Sequence, residues 1–193
     1  MRIHYMGKYN LDPESLPHGD HMPGAVKFKE ASTTKELAVI ANLLSLAIFI
    51  VLLIISIICT GEYSFSNTIQ WMAGCLLSLL ILFPHELLHA VCFKEDVYLY
   101  TNLRQGMLFV TGPETMSKCR FIFMSLLPNI VFGIIPYLLG MLSSQYSFLL
   151  VFGMLSACAG SGDYYNVFNA LTQMPKGART YLYQFNSYWY IPE

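Results

Sequence analysis

The chain has 193 residues, 55% of them hydrophobic and 12% charged, with 11 lysines and arginines against 12 acids. A soluble domain carries about 25% charged residues, so half that level excludes disorder and points to lipid as the main solvent. Net charge near zero leaves no bulk field for a polyanion, and nucleic acid is not an expected partner.

Residues 1–36 read as a cytoplasmic N-terminal arm. Charges and prolines run throughout it, so no cleaved signal peptide is expected. Pro13, Pro17 and Pro23 predict irregular chain until a short extended run near Ala25 to Lys29. His4, His18 and His21 match no zinc-finger spacing and are read as part of a solvated arm, or of a flap over a site.

Four apolar stretches follow, at about 37–60, 69–93, 121–142 and 148–171. A hydrocarbon core of about 30 Å needs ~20 helical residues, and a lipid-exposed backbone must satisfy its own hydrogen bonds, so all four are predicted to be transmembrane helices. Pro128 and Pro136 are expected to kink the third. Between the second and third, two β-rich runs, Val97 to Thr101 and Met107 to Thr111, predict a hairpin over 97–111. The tail, 172–193, holds Tyr181, Tyr183, Phe185, Tyr188, Trp189 and Tyr190, a composition suited to the membrane interface. The expected fold class is therefore an all-α integral membrane protein, with its membrane domain over 37–171 and one short hairpin between helices 2 and 3. Cys59, Cys75, Cys92, Cys119 and Cys158 lie in or beside apolar stretches and read as small hydrophobes.

All eleven lysines and arginines fall in the arm, the middle loop or the tail; none lies in the outer loops, Gly61 to Thr68 and Ser143 to Ser147. The positive-inside rule puts both termini and the middle loop on the cytoplasmic side.

The first and third spans contain no ionisable residue, whereas the second contains His85, Glu86 and His89 and the fourth contains Asp163. Each such group costs about 2.5 to 3.5 kcal/mol at a helix centre, so four of them call for a compensating role. His85-Glu86-Leu87-Leu88-His89 is an H-E-x-x-H motif. Histidines at i and i+4 share a helix face and can bind one zinc ion, with the glutamate between them placed as general base. A catalytic zinc has three protein ligands and one open position. Asp163 is the candidate third ligand, because it and Glu86 both lie roughly 10 to 12 Å below the cytoplasmic surface at 1.5 Å per residue. Gly160 and Gly162 beside it are expected to let its helix approach the second span closely.

Asn166, one turn beyond Asp163, and Asn129, after Pro128, are candidates to orient a peptide carbonyl or stabilise an oxyanion. The competing roles are ordinary packing for Asn166 and filling a proline's backbone gap for Asn129. A non-catalytic membrane metal-binding or scaffold protein remains the alternative to an enzyme. A small transporter or proton relay is disfavoured by the lack of visible repeats.

The chain resembles the small bacterial integral-membrane zincin peptidases and is more distantly similar to site-2 intramembrane zinc metalloproteases. The resemblance rests on Pro84 to His89, on Ser117 to Pro128 with its Leu-Leu-Pro ending, and on Gly162-Asp163-Tyr164-Tyr165-Asn166. It covers most of 37–172, and Tyr5 to Asn10 with Pro23 to Phe28 also looks like the opening of some members. It implies residence in the bacterial cell membrane and hydrolysis of peptide bonds in membrane or membrane-associated proteins. It also implies zinc held by His85, His89 and Asp163, with Glu86 as base. Site-2 proteases show an Asp-Gly pair at the third ligand, where this chain has Gly162-Asp163-Tyr164. In that context the hairpin is expected to hold an extended substrate along its edge.

Overall fold

The computed structural model describes residues 1–61 and 67–192; residues 62–66, most of the first outer loop, lie outside the described residues. Contacts divide the chain into two compact units. One comprises Met1–Ser32, Glu86–Ser125 and Asn166–Glu193; the other comprises Thr33–His85 and Leu126–Tyr165.

The first unit contains two sheets. Strand β1 (Ile3–Lys8) runs parallel to β3 (Val97–Asn102), which pairs antiparallel with β4 (Met107–Thr111). The β3–β4 hairpin stands where the two β-rich runs predicted it. Gly106 closes its turn at φ 64°, a conformation that favours glycine. Tyr100 and Phe109 are opposite in register and stack at 5.4 Å, over a core of Tyr9 and Leu16. The second sheet has the order β2-β7-β6-β5, from β2 (Val26–Lys27), β5 (Met116–Ser117), β6 (Arg179–Tyr183) and β7 (Asn186–Tyr190). Phe28, Ala170, Met174 and Ala178 form a second small core, against which Trp189 packs.

The second unit is helical. Helix α1 (Thr34–Thr60) is capped by Thr33, whose side chain accepts from the Glu36 N–H at 3.2 Å. Its most apolar window is only 11% buried, so its side chains face outward along most of its length. Helices α2 (Thr68–Leu80) and α3 (Leu82–Ala90) follow. Helix α4 (Lys118–Pro128) leads through a π-helical stretch, Asn129–Ile134, into α5 (Ile135–Gly140). Helices α6 (Ser147–Ala159) and α7 (Ser161–Gln173) complete the set. The core of this unit is Tyr137, Leu150 and Met154, with Leu52 and Leu53 of α1 against it. The Tyr137 hydroxyl donates to the Leu52 carbonyl at 2.7 Å and meets the Ser56 hydroxyl at 3.0 Å, so the polar groups that α1 buries are satisfied inside the unit. A Cβ on Gly153 of α6 would collide with the Tyr137 backbone, so only glycine allows these helices to pack this closely.

Two expectations are corrected. The protein is not all-α: 58% of it is helix and 17% strand. Strand β1 arises in the arm that read as irregular, and β6 and β7 arise in the tail. Nor are there four transmembrane helices. Among the described residues, two helical runs are long and apolar enough to cross a membrane, Thr34–Thr60 and Lys118–Gly140, or three if the bent pair α2 and α3 counts as one. That pair bends by 43°. Pro84, in the first turn of α3, has no N–H to donate to the Leu80 carbonyl, which interrupts the ladder there. The stretch at 148–171 breaks at Gly160, which caps α6. The 13 residues of α6 extend about 20 Å, short of a hydrocarbon core. Pro128 and Pro136 leave the third run unbroken, because the backbone widens into π-helix between them.

Candidate metal centre

Helix α3 carries the H-E-x-x-H motif. One ligand-type atom from each of His85, Glu86 and His89 lies within 4.8 Å of the other two. The one-turn spacing of the two histidines does this, as the i, i+4 geometry of a helix requires.

The motif's three side chains have different partners. In the second unit, His85 Nε2 lies 3.1 Å from Asp163 Oδ2, and Asn129 Nδ2 donates to the same oxygen at 2.7 Å. Asp163 stands in the first turn of α7, where the positive end of the helix dipole favours a carboxylate. Asn129 is 1% exposed and lies against Gly160, where any Cβ would overlap its amide oxygen. Gly160 therefore admits Asn129, and a Cβ at Gly162 would touch nothing within 4 Å. The structure thus joins Asn129, Asp163 and His85 in one hydrogen-bonded chain. Asn166 is half-buried three residues beyond Asp163, and its side chain is not joined to them among the described residues.

In the first unit, Glu86 Oε2 accepts from the Val110 N–H at 3.0 Å. Strand β4 is an edge strand, and the N–H of Val110 points out of its own ladder toward the carboxylate. His89, 7% exposed, has Nδ1 at 2.9 Å from the Met124 carbonyl of α4. A carbonyl can only accept, so Nδ1 is the donor in this contact.

The end of α3 is clamped from both sides. Arg120 donates from Nε and Nη2 to the Cys92 carbonyl at 2.9 and 2.6 Å, and from Nη1 to Glu114. The other oxygen of Glu114 accepts from the Lys94 and Glu95 N–H groups at 2.7 and 3.1 Å. Burial pushes the Glu114 carboxyl up, but Arg120 and the two N–H groups outweigh it and hold it below the usual carboxylate range. These contacts were not found from the sequence; the Val110 and Met124 groups belong to the backbone, which no side-chain motif encodes. The arm histidines have partners of their own: His4 pairs with Asp96 at 2.9 Å, and His21 Nδ1 meets the Tyr181 hydroxyl at 3.0 Å.

The donor set fits zinc. Two imidazoles and a carboxylate are a common three-ligand set for it. The mutually close ligand-type atoms are those of His85, Glu86 and His89; Asp163 stands outside that group, bonded to His85 Nε2 at 3.1 Å. An imidazole whose Nδ1–H is held by a carbonyl is oriented to present Nε2 to a metal.

No curated protein and no solved structure matches the chain. A family model described as "Putative zincin peptidase" matches residues 78–179, just over half of the chain, and spans both the H-E-x-x-H motif and Asp163. The chain belongs to this zincin peptidase family, whose name denotes zinc-dependent peptide hydrolysis.

Proposed function

We propose that the protein is a membrane-embedded zinc endopeptidase that cleaves membrane or membrane-associated proteins. The observation that carries this reading is the Glu86 carboxylate, flanked by two histidines and seated 3.0 Å from the outward N–H of an edge strand. His85, His89 and Asp163 are the residues that would hold the metal. Zinc supplies Lewis acidity there, polarising a peptide carbonyl and acidifying water.

The chain's own groups do the rest. An extended peptide adds to the outer edge of β4, where Leu108 turns its backbone groups outward beside the Val110 N–H that Glu86 holds. Glu86 takes a proton from the attacking water and passes it to the leaving amine, so one water is consumed for each peptide bond broken. Asn129 fixes Asp163 through its amide rather than serving the substrate. Asn166, uncommitted to that chain, is assigned to the substrate carbonyl. The apolar helical runs are assigned to the bilayer, and the lysines and arginines mark its cytoplasmic side.

The test is Glu86→Gln in purified, detergent-solubilised protein and in membranes. Zinc content should stay at the wild-type level while cleavage falls about 10²- to 10⁴-fold, the usual worth of a general base. A proteomic comparison of membrane fractions from the two strains would name substrates. Undiminished cleavage in the variant rejects the mechanism. Val110→Pro tests the edge separately, because the N–H it removes is not part of the β3–β4 ladder; turnover should drop with zinc unchanged.

A further inference from the structure

The Leu-Leu-Pro ending of α4 has no part in the chemistry above. Met124 lies four residues before Pro128. In an α-helix the N–H of residue i+4 donates to the carbonyl of residue i, and proline has no N–H to give. The helical donor that would fall on the Met124 carbonyl is therefore missing, and His89 Nδ1 stands 2.9 Å from that oxygen. Nor does the proline serve as a stop, since the helical run continues through the π-helical stretch to Gly140.

We propose that Pro128 is a positioning residue for the metal centre: by deleting one N–H from α4 it reserves the Met124 carbonyl for His89 Nδ1–H, which presents Nε2 as the metal donor. The inference rests on the zinc reading given above. A ring nitrogen buried this deeply would be costly to leave unpaired, and a partner on Nδ1 fixes both the tautomer and the orientation of a ligating imidazole. A carbonyl oxygen has two lone pairs, so restoring the N–H at 128 shares this acceptor rather than removing it. The expected loss of zinc affinity is accordingly about 10-fold, the lower end for a residue that orients a ligand.

The experiment uses full-length protein in detergent and two readouts, the zinc dissociation constant by chelator competition and the tautomer of His89 by ¹⁵N-histidine NMR of the metal-free protein. Wild type should show His89 as the Nδ1–H form. Pro128→Ala should give a mixture of tautomers and about 10-fold weaker zinc. A backbone ester at 128, the lactic-acid analogue of that alanine, has neither the proline ring nor an N–H and should restore both readouts. Pro136→Ala, which returns an N–H elsewhere in the same run, should change neither. An Nε2–H tautomer in wild type overturns the inference without any variant, as does an unchanged affinity in Pro128→Ala or an ester that fails to restore it. A wild type that binds no zinc overturns the metal reading instead, so the two failures are distinguishable.

Discussion

Leu46 and Leu103 are both exposed, at 55% and 84%, yet they stand in different surroundings along the chain. Leu46 lies near the middle of α1 in the second unit; Leu103 lies in the β3–β4 turn of the first. Ten of the eleven lysines and arginines belong to the first unit, and only Lys35 to the second. The ionisable side chains of the two units also find different partners. In the second, side chains join one another, as in Asn129–Asp163–His85. In the first, they mostly reach backbone: Glu86 to Val110, His89 to Met124, Arg120 to Cys92, Glu114 to Lys94 and Glu95. Loops and strand edges offer N–H groups that a helix interior has already paired, so the carboxylates of the first unit find backbone donors that Asp163 finds in a side chain.

The largest expected effect tests the first half of this comparison. Leu46→Lys places a cation at the centre of α1 and should cost about 2.5 to 3.5 kcal/mol of membrane insertion, read as a shift in an insertion assay. Leu103→Lys should stay within about 0.5 kcal/mol. Equal effects at the two positions would mean that α1 faces water. The second half is tested by Asn129→Ala, which removes a side-chain partner of Asp163 and should weaken zinc binding about 10- to 100-fold in a chelator competition. If affinity is unchanged, Asn129 packs beside Gly160 without orienting Asp163.

What could be read from the sequence follows the range of the interactions. Helix α1 and the β3–β4 hairpin are encoded in contiguous residues, and both stand where the local pattern placed them. The i, i+4 spacing of His85 and His89 is likewise local. Strand β1 was not legible, because its partner is parallel and some 94 residues away, with a register shift between Tyr5 and Gly7. The aromatic rows of β6 and β7 resemble an interfacial belt as closely as a hairpin, and only the pairing of β7 with β2 and of β6 with β5 tells them apart. Apolar length alone counted a span at 148–171; it gave no weight to Gly160, where contact with Asn129 excludes any side chain and the helix restarts at Ser161. Pro84 was read as part of a motif, and its missing N–H also breaks α2 from α3.

Within the first unit, the buried Glu114 and the half-buried Glu30 separate the effect of a cation from that of desolvation. Glu114 has Arg120 and two N–H groups, and its carboxyl is held below the usual range. Its stabilisation is present above the unfolded-state value, about 4.3, and is lost as pH falls through the lower folded value. Glu114→Gln should cost about 1–3 kcal/mol near neutral pH and flatten the acid limb of a plot of melting temperature against pH. An acid limb as steep as wild type would remove Glu114 as its source.

Glu30 is the converse and the smallest effect. Its Oε1 accepts from the Ser187 N–H at 2.6 Å. Burial pushes this carboxyl up, and that effect outweighs the hydrogen bonds from Ser187 and Asn186 and the charge of Lys27, all of which pull it down. Because the folded value is raised, Glu30 favours folding at pH below the unfolded-state value, and this contribution is lost as pH rises through the folded one. Near pH 7 the ionised form is therefore a burden that glutamine would lift, since its amide oxygen still accepts from Ser187. Glu30→Gln should raise the melting temperature by about one or two degrees at pH 7 and leave it unchanged near pH 4. A lower melting temperature at pH 7 would show that the charge itself holds the segment before α1 to β7, and that this unit, too, relies on ionised side chains rather than on backbone acceptance alone.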